Sequence, residues 1–203
     1  NAKGEVFFTD IPNSRIHKVE LDGKVSVFAE NTGKANGLMF GTDGRLFAAA
    51  NGVKQIVAYD EGGKKTVIAS DIESNDLCVA LNGNIYVSDP THQQVWLIKP
   101  NGEKSVVDKN GKDGITFPNG VRLTPDQSLL LVADARGQFV WSYHIQPDGT
   151  LTAKQRYHHL RIPDGVMESG ADGMTCDTKG RLYVCTRLGI QFCDQAGRVN
   201  GII

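Results

Sequence analysis

The sequence predicts an all-β fold, a β-propeller of four-stranded blades, and three observations carry that prediction. An Asn or Asp anchor recurs at positions 36, 75, 119 and 172, and in three of these copies a glycine stands eight residues later (36 to 44, 75 to 83, 172 to 180). Short apolar runs lie on both sides of that glycine, and a third and fourth run follow before the next anchor. The steps between anchors (36 to 75, 75 to 119, 119 to 172) are 39, 44 and 53 residues, close to the roughly 40–45 of a four-stranded propeller blade.

Each copy reads the same way. In the copy that begins at Ala35-Asn36-Gly37, runs 38–40 and 46–50 flank Asp43-Gly44, run 56–59 precedes Glu61-Gly62-Gly63, and run 66–69 closes it. After Ser74-Asn75-Asp76 come 77–81, Asn82-Gly83, 85–87, then 95–98 before Asn101-Gly102, then 105–107. Pro118-Asn119-Gly120 opens a copy with one extra residue, where Gln127 takes the place of the glycine and run 140–145 precedes Asp148-Gly149. Ala171-Asp172-Gly173 opens the last copy, with Lys179-Gly180 as its turn. Asx-Gly between apolar runs signals a hairpin, because a tight primed turn needs positive φ. The longest step leaves room for a loop over 152–167, and the pair His158-His159 is expected on its surface.

A fifth copy opens the chain, with 4–8 as its second strand and 15–21 as its third before Asp22-Gly23. About five blades are therefore visible. The expectation is a single propeller domain over 1–203 that begins inside a blade, ends as a fourth strand forms over 199–203, and is truncated at both ends, since an unclosed ring exposes strand edges. A β-sandwich also has many short strands but does not predict a recurring anchor at blade spacing.

With 22 basic and 23 acidic residues, net charge −1, the chain has no electrostatic case for binding nucleic acid or an anionic membrane. No apolar run approaches a membrane span. The cysteines (78, 176, 185 and 193) form no CxxC pair. Cys78, Cys176 and Cys185 lie in strand-like runs and read as buried structural thiols, with a disulfide among the last three left open.

The loops that lead into the innermost strands of a propeller open at one end of the channel, so the anchors converge there. Asn36, Asn75, Asn119 and Asp172 offer only amide and carboxylate oxygens, which suit a hard cation and match zinc or copper poorly. The competing reading is turn chemistry, since Asn and Asp tolerate left-handed backbone; it fits Asn36 best. Arg136 and Arg187 follow the second strands of their blades and either meet an anionic substrate or line a solvated face. Trp96 and Trp141 occupy equivalent places in neighbouring blades and read as packing between them. No Gly-x-Ser-x-Gly elbow supports a serine hydrolase.

Phe8-Thr9-Asp10-Ile11-Pro12, Ser74-Asn75-Asp76, Tyr86-Val87-Ser88-Asp89-Pro90, Pro118-Asn119-Gly120 and Ala171-Asp172-Gly173-Met174 follow one another in this order. In this the sequence resembles the senescence marker protein/regucalcin and gluconolactonase family of six-bladed propellers. The resemblance implies a divalent cation at one channel end, Ca2+ or another such as Zn2+, Mn2+ or Mg2+. It matches Asn119 and Asp172 to metal ligands and Asn75 to a further asparagine at the metal or the substrate. It implies a metal-dependent lactonase, gluconolactonase-like, with a small-molecule sugar-acid lactone as substrate, Asp172 as catalytic base, and Asn75 at the metal or towards the substrate. A phosphotriesterase on the same metal and a non-enzymatic binding platform are the alternatives. Two departures stand out: the family's glutamate ligand would precede Asn1, and Glu73 stands where some members carry a substrate-contacting arginine.

Overall fold

The computed structural model describes residues 1–109 and 114–203. It is a β-propeller of five sheets. The first sheet has three strands, β1 (Val6–Asp10), β2 (Arg15–Val19) and β3 (Val25–Ala29). The second holds β4 (Ala35–Phe40), β5 (Leu46–Ala50), β6 (Gln55–Tyr59) and β7 (Lys65–Ser70). The third holds β8 (Leu77–Val79), β9 (Ile85–Asp89), β10 (Gln94–Ile98) and β11 (Lys104–Lys109). The fourth holds β12 (Pro118–Leu123), β13 (Leu129–Asp134), β14 (Phe139–Ile145) and β15 (Leu151–His159). The fifth holds β16 (Met174–Cys176), β17 (Leu182–Thr186), β18 (Gly189–Cys193) and β19 (Val199–Ile202). Every sheet is an antiparallel meander of consecutive strands. Among the described residues the only helical element is a 3-10 turn at Asn51–Val53.

The hairpins follow the sequence chemistry. Gly44, Gly83 and Gly180 have φ of 80°, 84° and 71°. Gln127, their counterpart in the fourth blade, adopts φ 57° without being glycine. The aspartate or asparagine of each turn holds the return strand: Asp43 accepts Arg45 N–H, Asn82 accepts Asn84 N–H, Asp126 accepts Ser128 N–H, and Asp177 accepts Lys179 N–H, all at 2.9–3.1 Å.

Neighbouring sheets pack face to face, so each interface is its own hydrophobic core. Ile16 and Ala29 of the first blade meet Leu46, Ala48 and Val57 of the second. Phe47, Ala49 and Ile56 meet Leu77, Val79 and Val87. Tyr86 and Leu97 meet Val121, Leu130 and Val132. Leu131, Ala133 and Val140 meet Met174, Leu182 and Val184. Central strands such as β5 and β9 are buried at every position because a blade covers each face. Trp96 packs against the core between blades two and three, and Trp141 lies in the one between three and four, the inter-blade role expected of both.

Two expectations fail. His158 and His159 are not on a surface loop: β15 continues to His159, paired with β14 through two register shifts. The extra length of this repeat thus extends the outer strand, and alternation turns the two imidazoles to opposite sides. His158 is buried, whereas His159 is exposed and stacks on Phe139 with ring centroids 4.7 Å apart. Cys185 is not a buried thiol. Leu182 and Val184 of β17 face the core shared with blade four, so Cys185 alternates to the opposite, exposed side. Cys78 and Cys193 are buried, Cys176 is half-buried, and all four thiols are free.

Candidate functional site

The four anchors share one backbone device. In each of the four four-stranded blades, two residues of the innermost strand face one residue of the second strand. Asn75 N–H donates to the Ser88 carbonyl, and Ser88 N–H donates to the Asp76 carbonyl. Asp172 N–H donates to the Cys185 carbonyl, and Cys185 N–H donates to the Gly173 carbonyl. In β4 the pairing passes from Ala35↔Ala50 to Leu38↔Ala48, and in β12 from Pro118↔Asp134 to Val121↔Val132. One extra inner-strand residue is inserted each time, a β-bulge, which bends the strand and re-aims its side chains. The bulged pairs are Asn36-Gly37, Asn75-Asp76, Asn119-Gly120 and Asp172-Gly173.

This overturns the turn-chemistry reading of the anchors. Among the described residues, positive φ outside glycine occurs at Lys34, Lys54, Asp71, Gln127 and four other positions, none of them an anchor. The hairpin hydrogen bonds belong to Asp43, Asn82, Asp126 and Asp177 instead.

The inner strands approach closely at the bulges. Gly37 N–H donates to the Asn75 carbonyl at 3.1 Å. A Cβ placed on Gly120 would lie 2.2 Å from the Asp172 carbonyl oxygen, so Asn119-Gly120 and Asp172 lie side by side. Asn119 is 8 % exposed, and its Oδ1 is buried with no hydrogen-bond partner among the described residues. Asn75 is half-buried and Asp172 is exposed. An orphaned amide oxygen beside a carboxylate-bearing bulge is a donor set that fits a hard cation.

Arg136 and Arg187 lie at the same end as the anchors. Each follows a second strand whose end is tied to the segment leading into an inner strand: Ala135 N–H donates to the Phe117 carbonyl, and Arg187 N–H to the Ser169 carbonyl. Their charges differ in availability. The Arg187 guanidinium pairs with Glu168 at 3.0 Å. That of Arg136 lies 4.7 Å over the Phe117 ring, two residues before Asn119. Glu73, beside Ser74-Asn75, pairs with Lys54 at 2.6 Å, and this hydrogen bond holds its carboxyl below the usual range.

Sequence reasoning missed two carboxylates. Asp134, 4 % exposed, accepts Thr116 N–H, Thr116 Oγ1–H and Phe117 N–H, each at 3.0 Å. Its signal was the aspartate that also ends β1 and β9, Asp10 and Asp89. Asp76 stands second in its bulge, where the other three have glycine. Burial pushes its carboxyl up, Asp172 adds to this, and Val121 N–H, Leu77 N–H and the Arg122 charge oppose it.

A family model, the SMP-30/Gluconolactonase/LRE-like region, matches residues 1–203. A gluconolactonase of Zymomonas mobilis is 24 % identical over 237 residues, covering 98 % of this chain and 65 % of the relative. The chain thus spans about two thirds of the length of that curated relative. A solved structure of a gluconolactonase from Xanthomonas campestris covers all of this chain, and 72 % of its own length, at TM-score 0.85 and 23 % identity. A calcium-binding protein, regucalcin, from Agrobacterium tumefaciens aligns over 98 % of this chain and 70 % of its own at TM-score 0.79 and 17 % identity. A virginiamycin B lyase from Staphylococcus aureus shares the fold at TM-score 0.72 and 18 % identity, over 98 % of this chain and 66 % of its own.

Proposed function

Since this chain belongs to the SMP-30/gluconolactonase/LRE-like family, we propose that it is a divalent-metal-dependent lactonase whose site is the anchor end of the channel. The observation that carries this reading is the buried, unpartnered Oδ1 of Asn119, in a bulge whose Gly120 packs on the Asp172 backbone. A buried amide oxygen without a partner costs about 1–3 kcal/mol, a cost that a ligand removes. Asn119, Asp172 and Asn75 are the residues that would hold the cation, and Ca2+ is the first candidate because the donors are all oxygens. The regucalcin relative, described as calcium-binding, points the same way.

The cation, when bound, polarises the lactone carbonyl oxygen and stabilises the negative charge that develops there. The rest belongs to the chain. Asp172 is exposed and takes a proton from the attacking water. The water oxygen bonds to the carbonyl carbon, the ring C–O bond breaks, and the proton held by Asp172 goes to the departing alkoxide. The product is an open hydroxy acid. Asn75 directs the substrate from the facing blade. Arg136 is placed to meet an anionic or hydroxyl-rich group, with Phe117 fixing its guanidinium. Arg187, already paired with Glu168, exchanges that partner to do the same.

The test is hydrolysis of a panel of sugar lactones, with the uncatalysed buffer rate subtracted, in the full chain with and without chelator. Turnover should vanish with chelator and return with Ca2+ or another divalent cation. Turnover that survives chelation overturns metal dependence. No turnover on the lactones, nor on a parallel panel of phosphotriesters, favours a binding platform.

A further inference from the structure

Asp76 is the only side chain beyond Cβ at the second bulge position, where the other three blades have Gly37, Gly120 and Gly173. A Cβ on Gly37 would lie 2.1 Å from Asp76 Oδ1 and 2.7 Å from Asp76 Cα. The glycine of blade two therefore makes room for the carboxylate of blade three. Both carboxylate oxygens are held by backbone amides: Oδ1 accepts Leu77 N–H at 2.8 Å, and Oδ2 accepts Val121 N–H at 3.0 Å. Asp76 N–H in turn donates to Ser88 Oγ at 3.0 Å. Val121 is the first residue of β12 to rejoin its ladder after the Asn119-Gly120 bulge. One carboxylate thus fits against β4, begins β8, and ties down β12 two residues beyond Asn119.

We propose that Asp76 is a positioning residue of the oxygen cluster: it fixes the bulge that carries Asn119. The inference rests on the metal-dependent reading above. Calcium sites tune affinity by rigidity as well as by ligand charge, and Asp76 supplies rigidity without itself touching substrate. It acts through the β12 backbone that carries Asn119.

Calcium alone, titrated by calorimetry into wild type, Asp76→Asn and Asp76→Ala, tests this alongside thermal melts in chelator. Asp76→Asn keeps the shape and an amide oxygen for Val121 N–H but loses the second acceptor, for Leu77 N–H. The affinity should fall at least about tenfold in Asp76→Asn and further in Asp76→Ala. The melting temperature of both variants in chelator should also fall by a few degrees, because Asn leaves one of the two N–H donors facing an NH2 and Ala leaves both without an acceptor. A lowered melt with unchanged affinity marks a merely structural carboxylate and overturns the inference. So does an Asp76→Asn protein that fails to fold. Equal affinity in the three proteins overturns the inference and leaves the metal reading standing. Absence of calcium binding by wild type overturns the metal reading and this inference with it.

Discussion

Asp134 Oδ1 accepts the backbone N–H of Phe117 at 3.0 Å, and this bond pins the segment that delivers Asn119 to the channel. The same carboxylate takes both donors of Thr116, so a loop that would otherwise float above β12 is tied to the end of β13. Hydrogen bonds to a buried charge contribute about 1.5–3 kcal/mol each to stability, and removing the acceptor strands the donors. Asp134→Ala is expected to lose roughly 3 kcal/mol in urea unfolding, and Asp134→Asn clearly less. A loss below about 0.5 kcal/mol in Asp134→Ala would show that the loop holds itself.

The bulge glycines separate by the space around them. Gly120 faces the Asp172 carbonyl at 2.2 Å from an added Cβ, whereas Gly173 has nothing within 4 Å. Gly120→Ala forces two inner strands apart and should cost about 1–3 kcal/mol. Gly173→Ala should stay within about 0.5 kcal/mol of wild type. Matched denaturation curves read both, and equal effects would contradict the close approach of β12 and β16.

His158 is buried, and burial lowers its imidazole from 6.5 to about 4, with Asp194 pulling weakly the other way. Its Nδ1 has no hydrogen-bond partner among the described residues. The unfolded chain therefore binds this proton between about pH 6.5 and 4 while the folded chain does not. Stability from this group is complete above pH 6.5 and falls as pH drops towards 4, by a total on the order of 3 kcal/mol. Melts from pH 7.5 to 4 should show this slope, and His158→Phe should flatten it. A slope unchanged in the variant would assign the acid sensitivity to other groups.

Asp172→Asn keeps the size and one ligand oxygen but removes charge and basicity. On the proposed mechanism turnover should fall by at least about a hundredfold and should not recover in excess Ca2+. Asn119→Ala should instead weaken calcium binding by calorimetry. Near-normal turnover of Asp172→Asn at saturating Ca2+ would leave Asp172 only a replaceable ligand.

The blade count, the hairpin turns and most strands were legible in the sequence, because turn glycines and apolar runs are local and repeat with the blade. Asp43-Gly44 and Asn82-Gly83 announce their hairpins through a φ requirement that one dipeptide satisfies. The anchors were legible by spacing alone. That they sit in bulges was not, since a bulge is a mismatch between two strands and appears only when Asn75 and Asp76 are both seen opposite Ser88.

What the tertiary structure alone decided is which bulges touch and which faces a neighbouring blade covers. His158 and Cys185 were misplaced because a strand's period says which residues share a face but not which face a neighbouring blade covers. Asp76 was readable as the odd member of a Gly, Asp, Gly, Gly series, yet its importance depends on Gly37 in one blade and Val121 in another. The repeat that builds the blades is written in short-range chemistry, whereas the channel is made by close packing between blades, where a carboxylate is admitted only because a facing residue has no side chain.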